Sequence, residues 1–183
     1  MQITKTLYLT KRSQWRSWLK KNYKKEKEIW LIYYNKASNR PRIPYNDAVE
    51  EALCFGWIDS IVKKINKDAT AQRYTPRRKG SPMSQMNMER ARMMIKQNKM
   101  APEGLAHFHD NDTSEDIKIR PDIMKALKQD KTVWNNFRSF PDHYKRIRIA
   151  GIEYYRKNPK MFRTRLENFL KMTRKNKKFG MVR

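Results

Sequence analysis

The stretch CFGWIDSIVKKINKDATAQRYTPRRK, residues 54–79, decides the fold, because a helix ends and a hairpin begins inside it. Gly56 can take the positive φ of the position just past a helix end. The Trp57-Ile58-Asp59-Ser60-Ile61-Val62 run after it is aromatic and β-branched with partial alternation, which predicts a strand. Asn66-Lys67-Asp68 carries turn chemistry, since Asn and Asp side chains bond nearby backbone and tolerate left-handed φ. Residues 70–75 then return as a second strand that Pro76 stops. Alternation sets Trp57, Asp59, Ile61, Lys63 and Ile65 on one face of the first strand, and Arg73, Thr75 and Arg77 on one face of the second. The register stays open: an odd-numbered connection such as Lys67-Asp68-Ala69 places Asp59 opposite Arg77, whereas a two-residue turn places Ile61 opposite Tyr74.

Upstream, Thr10 is placed to cap a helix whose Trp15, Trp18, Leu19 and Tyr23 recur at helical spacing. Residues 29–34 are apolar on both alternating sets, as a central strand covered on both faces would be, and residues 38–44 with two prolines form a loop. Asn46 or Asp47 starts the helix that stops at Gly56, burying Ala48, Val49, Ala52, Leu53 and Phe55. Downstream, Ser84 caps a helix through Gln97 with Met88, Ala91, Met94 and Ile95 as its apolar stripe. The acidic run DNDTSED, residues 110–116, reads as a linker. Beyond it three helices open at Pro121, Pro141 and Pro159, followed by a frayed basic tail over 174–178. The expected fold is α+β: a small antiparallel sheet of about three strands packed with helices in residues 1–109, the linker, and a helical subdomain in 117–183.

The chain of 183 residues carries 43 Lys and Arg against 18 Asp and Glu, a net charge of +25. The excess is uneven, because residues 117–183 hold 20 basic and 5 acidic side chains while residues 81–116 hold 4 and 6. Such a field attracts polyanions, so nucleic acid and acidic protein groups enter as partner classes. A single cysteine excludes an internal disulfide, and Cys54, between Leu53 and Phe55, reads as a small core hydrophobe. The start of the chain lacks an apolar signal core, and its longest apolar run, residues 29–34, is too short to span a bilayer, so a cytoplasmic protein without a transmembrane segment is expected.

Several segments resemble a known family, the proteins identified as bacteriocin-protection, YdeI or OmpD-associated. They are PYNDAVEEALCFGWIDSIVKKI from Pro44, QRYTPRRKGSPMS from Gln72 with its following NMER, KMAPEGLA from Lys99, and the C-terminal runs IKIRPDIMKAL, FRSFPDHYKRIRIAGIEYYRK and FRTRLENFLKM. The resemblance covers nearly the whole chain. Met83 stands where that family usually has Trp, and Asn98 where it usually has Gly. It implies a role in survival against bacteriocins or cationic antimicrobial peptides, and brings no reaction or ligand with it.

Candidate chemistry centres on the hairpin exit. Arg73, Arg77 and Arg78, with Tyr74 and Thr75 between them and Asp59 across the hairpin, suit an anion, because guanidinium forks bind phosphate or carboxylate bidentately and a carboxylate can orient one of them. Ser84, Asn87 and Arg90 are placed to complete the pocket from the next helix. His107 and His109 with Asp110 lack a third spaced ligand, so no metal site is expected, and Glu50 and Glu51, being adjacent, are not expected to share a pocket. No phosphate-binding loop, dinucleotide fingerprint, nucleophile elbow or zinc-protease motif is present, and no cofactor or catalytic constellation is assigned. The expected function is a non-enzymatic binder of a small anion or acidic group. The alternative is a nucleic-acid binder using the basic C-terminal helices.

Overall fold

The computed structural model describes residues 2–108 and 116–180, so most of the expected linker, and His109 and Asp110 with it, lies outside the described residues. The chain divides into two compact units, one formed by Met1–Met83 and Arg90–Thr113, the other by Ser84–Glu89 and Ser114–Arg183. It is α+β, with the sheet in the first unit and a set of C-terminal helices in the second.

The first unit contains β1 (Thr6–Leu7), α1 (Arg12–Asn22), β2 (Ile29–Tyr34), a 3-10 turn at Lys36–Ser38, α2 (Tyr45–Cys54), β3 (Trp57–Lys64) and β4 (Ala69–Pro76). The sheet has four strands in the order β1-β2-β4-β3, one more than expected. The added strand is β1, two residues long and parallel to β2, with Thr6 opposite Trp30. A parallel pair needs a long crossover, which α1 supplies. β2 is internal to the sheet, as its apolar character on both faces required. The cap of α1 differs from expectation: the helix opens at Arg12, and the Gln14 side chain accepts from the N–H groups of Thr10 and Lys11, both at 3.1 Å. Helix α2 likewise opens earlier than expected, at Tyr45 behind Pro44.

The hairpin register matches neither alternative drawn from the turn. At its tip Lys64 faces Thr70, while at its base Asp59 faces Tyr74 and Trp57 faces Pro76. Between them a bulge sets Ser60 and Ile61 against Arg73, shifting the register by one. Upstream of the bulge Trp57 and Asp59 share the face of Tyr74, which is the core face with Ile29, Leu31 and Tyr33. Arg73, Thr75 and Arg77 take the other face.

Helix α2 is buried at every residue from Ala48 to Cys54, including Glu50 and Glu51 at 1% exposure each. The two carboxylates share a guanidinium after all: Arg12 reaches Glu51 at 2.5 Å, Glu50 at 2.7 Å and Asp47 at 3.3 Å, and Arg16 holds the other Glu51 oxygen at 2.6 Å. Burial works against the charge on Arg12, but its bonds to Glu51 and Glu50 outweigh that and leave its pKa raised. Two core tryptophans are satisfied as well, Trp15 donating to the Ala48 carbonyl at 2.9 Å and Trp57 to that of Tyr23 at 3.1 Å.

The end of α2 meets the short helix α4 (Pro102–Leu105), which follows α3 (Gln85–Lys96). Gly56 has φ +70, and a Cβ there would meet the Glu103 carbonyl at 2.8 Å. A Cβ on Gly104 would strike the Cys54 carbonyl and lie 2.7 Å from that of Leu53. The Ala101 N–H donates to the Cys54 carbonyl at 2.8 Å, so two glycines let two backbone segments touch. Asn98 has φ 53, the left-handed conformation that its short amide tolerates.

The second unit packs α5 (Pro121–Lys128), α6 (Lys131–Ser139), α7 (Asp142–Glu153) and α8 (Pro159–Arg174) around Ile123, Leu127, Val133, Phe137, Phe140, Tyr144, Ile149, Ile152 and Phe169. Where three proline-opened helices were expected there are four, because Asp130 accepts from the Val133 N–H at 2.9 Å and caps a separate helix. The basic tail is not frayed either. Arg174 belongs to α8 and binds Asp130 at 2.8 Å, and the Phe179 N–H donates to the Tyr144 hydroxyl at 3.3 Å beneath the guanidinium of Arg148, 4.6 Å from the Phe179 ring.

Two substitutions test this account. Arg12→Leu leaves two buried carboxylates short of their cation, and is expected to cost on the order of 3 kcal/mol in urea melts. Gly104→Ala drives a methyl into the Cys54 carbonyl, and is expected to cost about 2 kcal/mol by the same measurement, with Ala at the exposed Gly151 as a near-neutral control.

Candidate functional site

The bulge decides what surrounds Asp59. Its partner is a phenol, the Tyr45 hydroxyl donating to Oδ2 at 2.7 Å, and the arginines expected there are engaged elsewhere. Arg73 lies on the opposite face and pairs with Glu28, its Nε at 2.6 Å, while Thr4 also donates to Glu28. Arg77 folds back on its own loop, its guanidinium donating to the Ser81 carbonyl at 2.6 Å. Thr75 shares that face, and Arg78 is exposed in the turn closed by Gly80. Ser84 and Asn87 belong to the second unit, where the Ser84 hydroxyl accepts from the Asn87 N–H at 3.3 Å.

Tyr74 and Arg90 do gather near Asp59, joined by side chains the sequence did not single out. Tyr33 and Tyr74, on the same core face, bring their hydroxyls to 3.3 Å. Arg42 lies 6.0 Å from the Tyr33 ring and Arg90 5.8 Å from the Tyr45 ring. Contacts between distant parts of the chain place both arginines. Arg42 sits in the two-proline loop, pinned when Ile43 donates to the Leu9 carbonyl at 3.1 Å and the Tyr8 hydroxyl bonds that of Pro41 at 2.5 Å. Tyr45 is the first residue of α2, behind Pro44, and Arg90 is held by Asn46 Oδ1 at 2.6 Å. The run PYND therefore supplies both Tyr45 and the residue that orients Arg90, a link that spacing alone did not reveal.

Electrostatically the cluster keeps its phenols protonated. Burial pushes Tyr33 up to about 12, with the charge of Asp59 adding to it. Burial and then the bond to Asp59 raise Tyr45 further, and burial with the neighbouring Tyr33 holds Tyr74 well above the usual phenol range. Burial lowers the pKa of Arg90 and also of Arg77. The arrangement is one carboxylate bonded by Tyr45, a neighbouring pair of neutral hydroxyls bonded to each other, and two cations over the rings. Cys54 plays no part: it is fully buried, and burial followed by the nearby Glu51 pushes its thiol to about 11, so it is no nucleophile. Among the described residues no group of His, Cys, Asp and Glu could hold a metal ion, and no helix is long and apolar enough to cross a membrane.

Fold and cluster describe a two-part α+β protein with a tyrosine-aspartate-arginine cluster beside its sheet. Residues 7–107 match the model of a family described as a domain of unknown function (DUF8412), and the chain belongs to that family. Residues 116–176 match the family described as bacteriocin-protection, YdeI or OmpD-associated, so the family named by resemblance is found in the helical part. No curated protein and no solved structure matches the chain.

The three raised phenols fix an alkaline signature. An unfolded tyrosine loses its proton near pH 10, whereas these keep theirs, so from about pH 10 to 12 the folded chain binds more protons than the unfolded one. The stability they contribute is fully present below that window and falls as pH rises through it. Tyr33→Phe is expected to remove on the order of 2 kcal/mol of this alkaline loss, measured by urea melts across the window alongside phenolate absorbance.

Proposed function

We propose that the sheet-bearing unit binds a small anion or acidic group without transforming it, between Arg42 and Arg90 at the tyrosines around Asp59. The observation that carries this reading is two guanidinium groups over the rings of Tyr33 and Tyr45, beside the Tyr33–Tyr74 hydroxyl pair, which uses only one of its two O–H groups on itself. A carboxylate or phosphate oxygen entering there meets charge and hydrogen-bond donors together. Asp59 narrows the choice: it repels a highly charged anion and favours an acid that also carries a donor group to face the carboxylate. Arg77 and Arg78, on the hairpin exit, extend the positive potential toward the site without touching Asp59.

The bacteriocin protection in the family description extends to this chain as part of the same proposal. Direct capture of a cationic peptide is opposed by a net charge of +25, so protection would act through an acidic ligand rather than by sequestering the peptide.

In a thermal-shift screen at fixed ionic strength, small hydroxy or amino acids are expected to raise Tm more than inorganic polyphosphate does. Arg42→Gln, at an exposed position, should abolish the rise with the fold intact, and Asp59→Asn should swing the preference toward the more highly charged anions. A rise that Arg42→Gln leaves untouched would show that binding happens elsewhere.

A further inference from the structure

We propose that the turn joining α7 to α8 is a docking ridge for single-stranded nucleic acid, with Tyr154 as its stacking platform. The Tyr154 ring is 82% exposed, the most exposed large side chain among the described apolar and aromatic residues. It is not adrift, because it stands edge-on to Tyr155 with ring centroids 5.0 Å apart, and the Arg165 guanidinium lies 5.2 Å from the Tyr155 ring. Arg156 locks the corner beneath: it donates to Asp122 at 2.5 Å and to Glu153 at 2.5 and 3.0 Å, and covers the Phe162 ring at 4.3 Å. The platform is therefore ordered before anything binds to it, which lowers the cost of binding.

Within nine residues after Tyr154 the chain carries Lys157, Lys160 and Arg163, all exposed and, among the described residues, in no ion pair. Four acids of this unit are occupied otherwise, Asp122 and Glu153 by Arg156, Asp130 by Arg174 and Asp142 by Lys145, while Glu167 is exposed on α8 one turn beyond Arg163. An uncovered aromatic side chain followed closely along the chain by exposed cations is the combination that binds a base by stacking and its phosphates by charge. A duplex keeps its bases stacked on each other and has none to offer the ring. A lipid surface is disfavoured for another reason: Phe162, Leu166, Phe169 and Leu170 of α8 face the core, leaving one ring rather than an apolar helix face to insert.

The test is fluorescence anisotropy of the full chain with a labelled short oligothymidylate, over a salt series. Tyr154→Ala is expected to weaken binding roughly tenfold at every salt concentration, without changing the slope against log salt, and Tyr154→Phe to restore it. Lys160→Gln with Arg163→Gln should instead flatten the slope by about the two phosphate contacts removed. Because Tyr154 is exposed, its variants are expected to keep the wild-type Tm. The proposal is overturned if Tyr154→Ala binds as the wild type does. It is overturned equally if the matching duplex or phosphatidylserine vesicles bind as tightly as the single strand and lose as much in that variant.

Discussion

Helix α2 has no solvent face from Ala48 to Cys54, yet it carries two carboxylates, and the sheet-bearing unit depends on how these are neutralised. A buried carboxylate without a partner costs several kcal/mol, so α2 can occupy the centre only with Arg12 and Arg16 of α1 already in place. That demand fixes α1 against α2 more sharply than apolar packing would, since a guanidinium bridging Glu50 and Glu51 tolerates little sliding. Trp15 adds a second fixed point through the Ala48 carbonyl. Everything that α2 leads to inherits this placement: Tyr45 at its start, and Gly56 and β3 at its end.

From that end two details of backbone geometry make the site. The glycines at 56 and 104 let the helix terminus and the Pro102–Leu105 turn touch, which sets where β3 departs. The bulge at Ser60 and Ile61 then spends one residue, so that Trp57 and Asp59 point into the core face and the lysines of the tip run on past it. Without the bulge, continuation of the tip register would set Asp59 against Thr75, on the face away from the tyrosines. The gathering of Asp59 with Tyr33, Tyr45 and Tyr74 is thus a consequence of one unpaired residue.

What could be read from the residues follows the same division between local and non-local causes. The helix stop at Gly56, the hairpin, the internal position of β2 and the burial of Cys54 are each marked by chemistry within a few residues, and each was legible. The bulge was not, because it involves Ser and Ile and no glycine to mark it. β1 is too short to outweigh its surroundings, and exists because β2 offers it an edge. Asp130 carries the chemistry of a cap, but Pro121 and Pro141 on either side are the stronger helix-start signals, and they imply one helix between them. The cluster around Asp59 was half legible. Tyr74 and Arg90 lie in the hairpin and the helix after it, whereas Arg42 comes from a loop whose position only tertiary contacts determine.

The charge of the chain takes on a different meaning once its acids are located. Glu50 and Glu51 are locked beneath Arg12, Asp130 caps α6, and Asp122 and Asp142 sit in the first turns of α5 and α7, where the helix dipole favours them. Hydrogen bonds hold the last three below the usual carboxylate range: Arg156 on Asp122, the Val133 N–H on Asp130 and Lys145 on Asp142. Acids committed to caps and ion pairs project little field, so the outward potential is set by the basic side chains that remain. Those of the helical unit include Lys157, Lys160, Arg163 and Lys171, all exposed along α8 or just before it. Solubility alone would be served by either sign of charge on those positions. A surface that commits most of its acids to caps and ion pairs and shows the solvent lysine and arginine carries a positive outward potential, and both proposed binding surfaces rest on that.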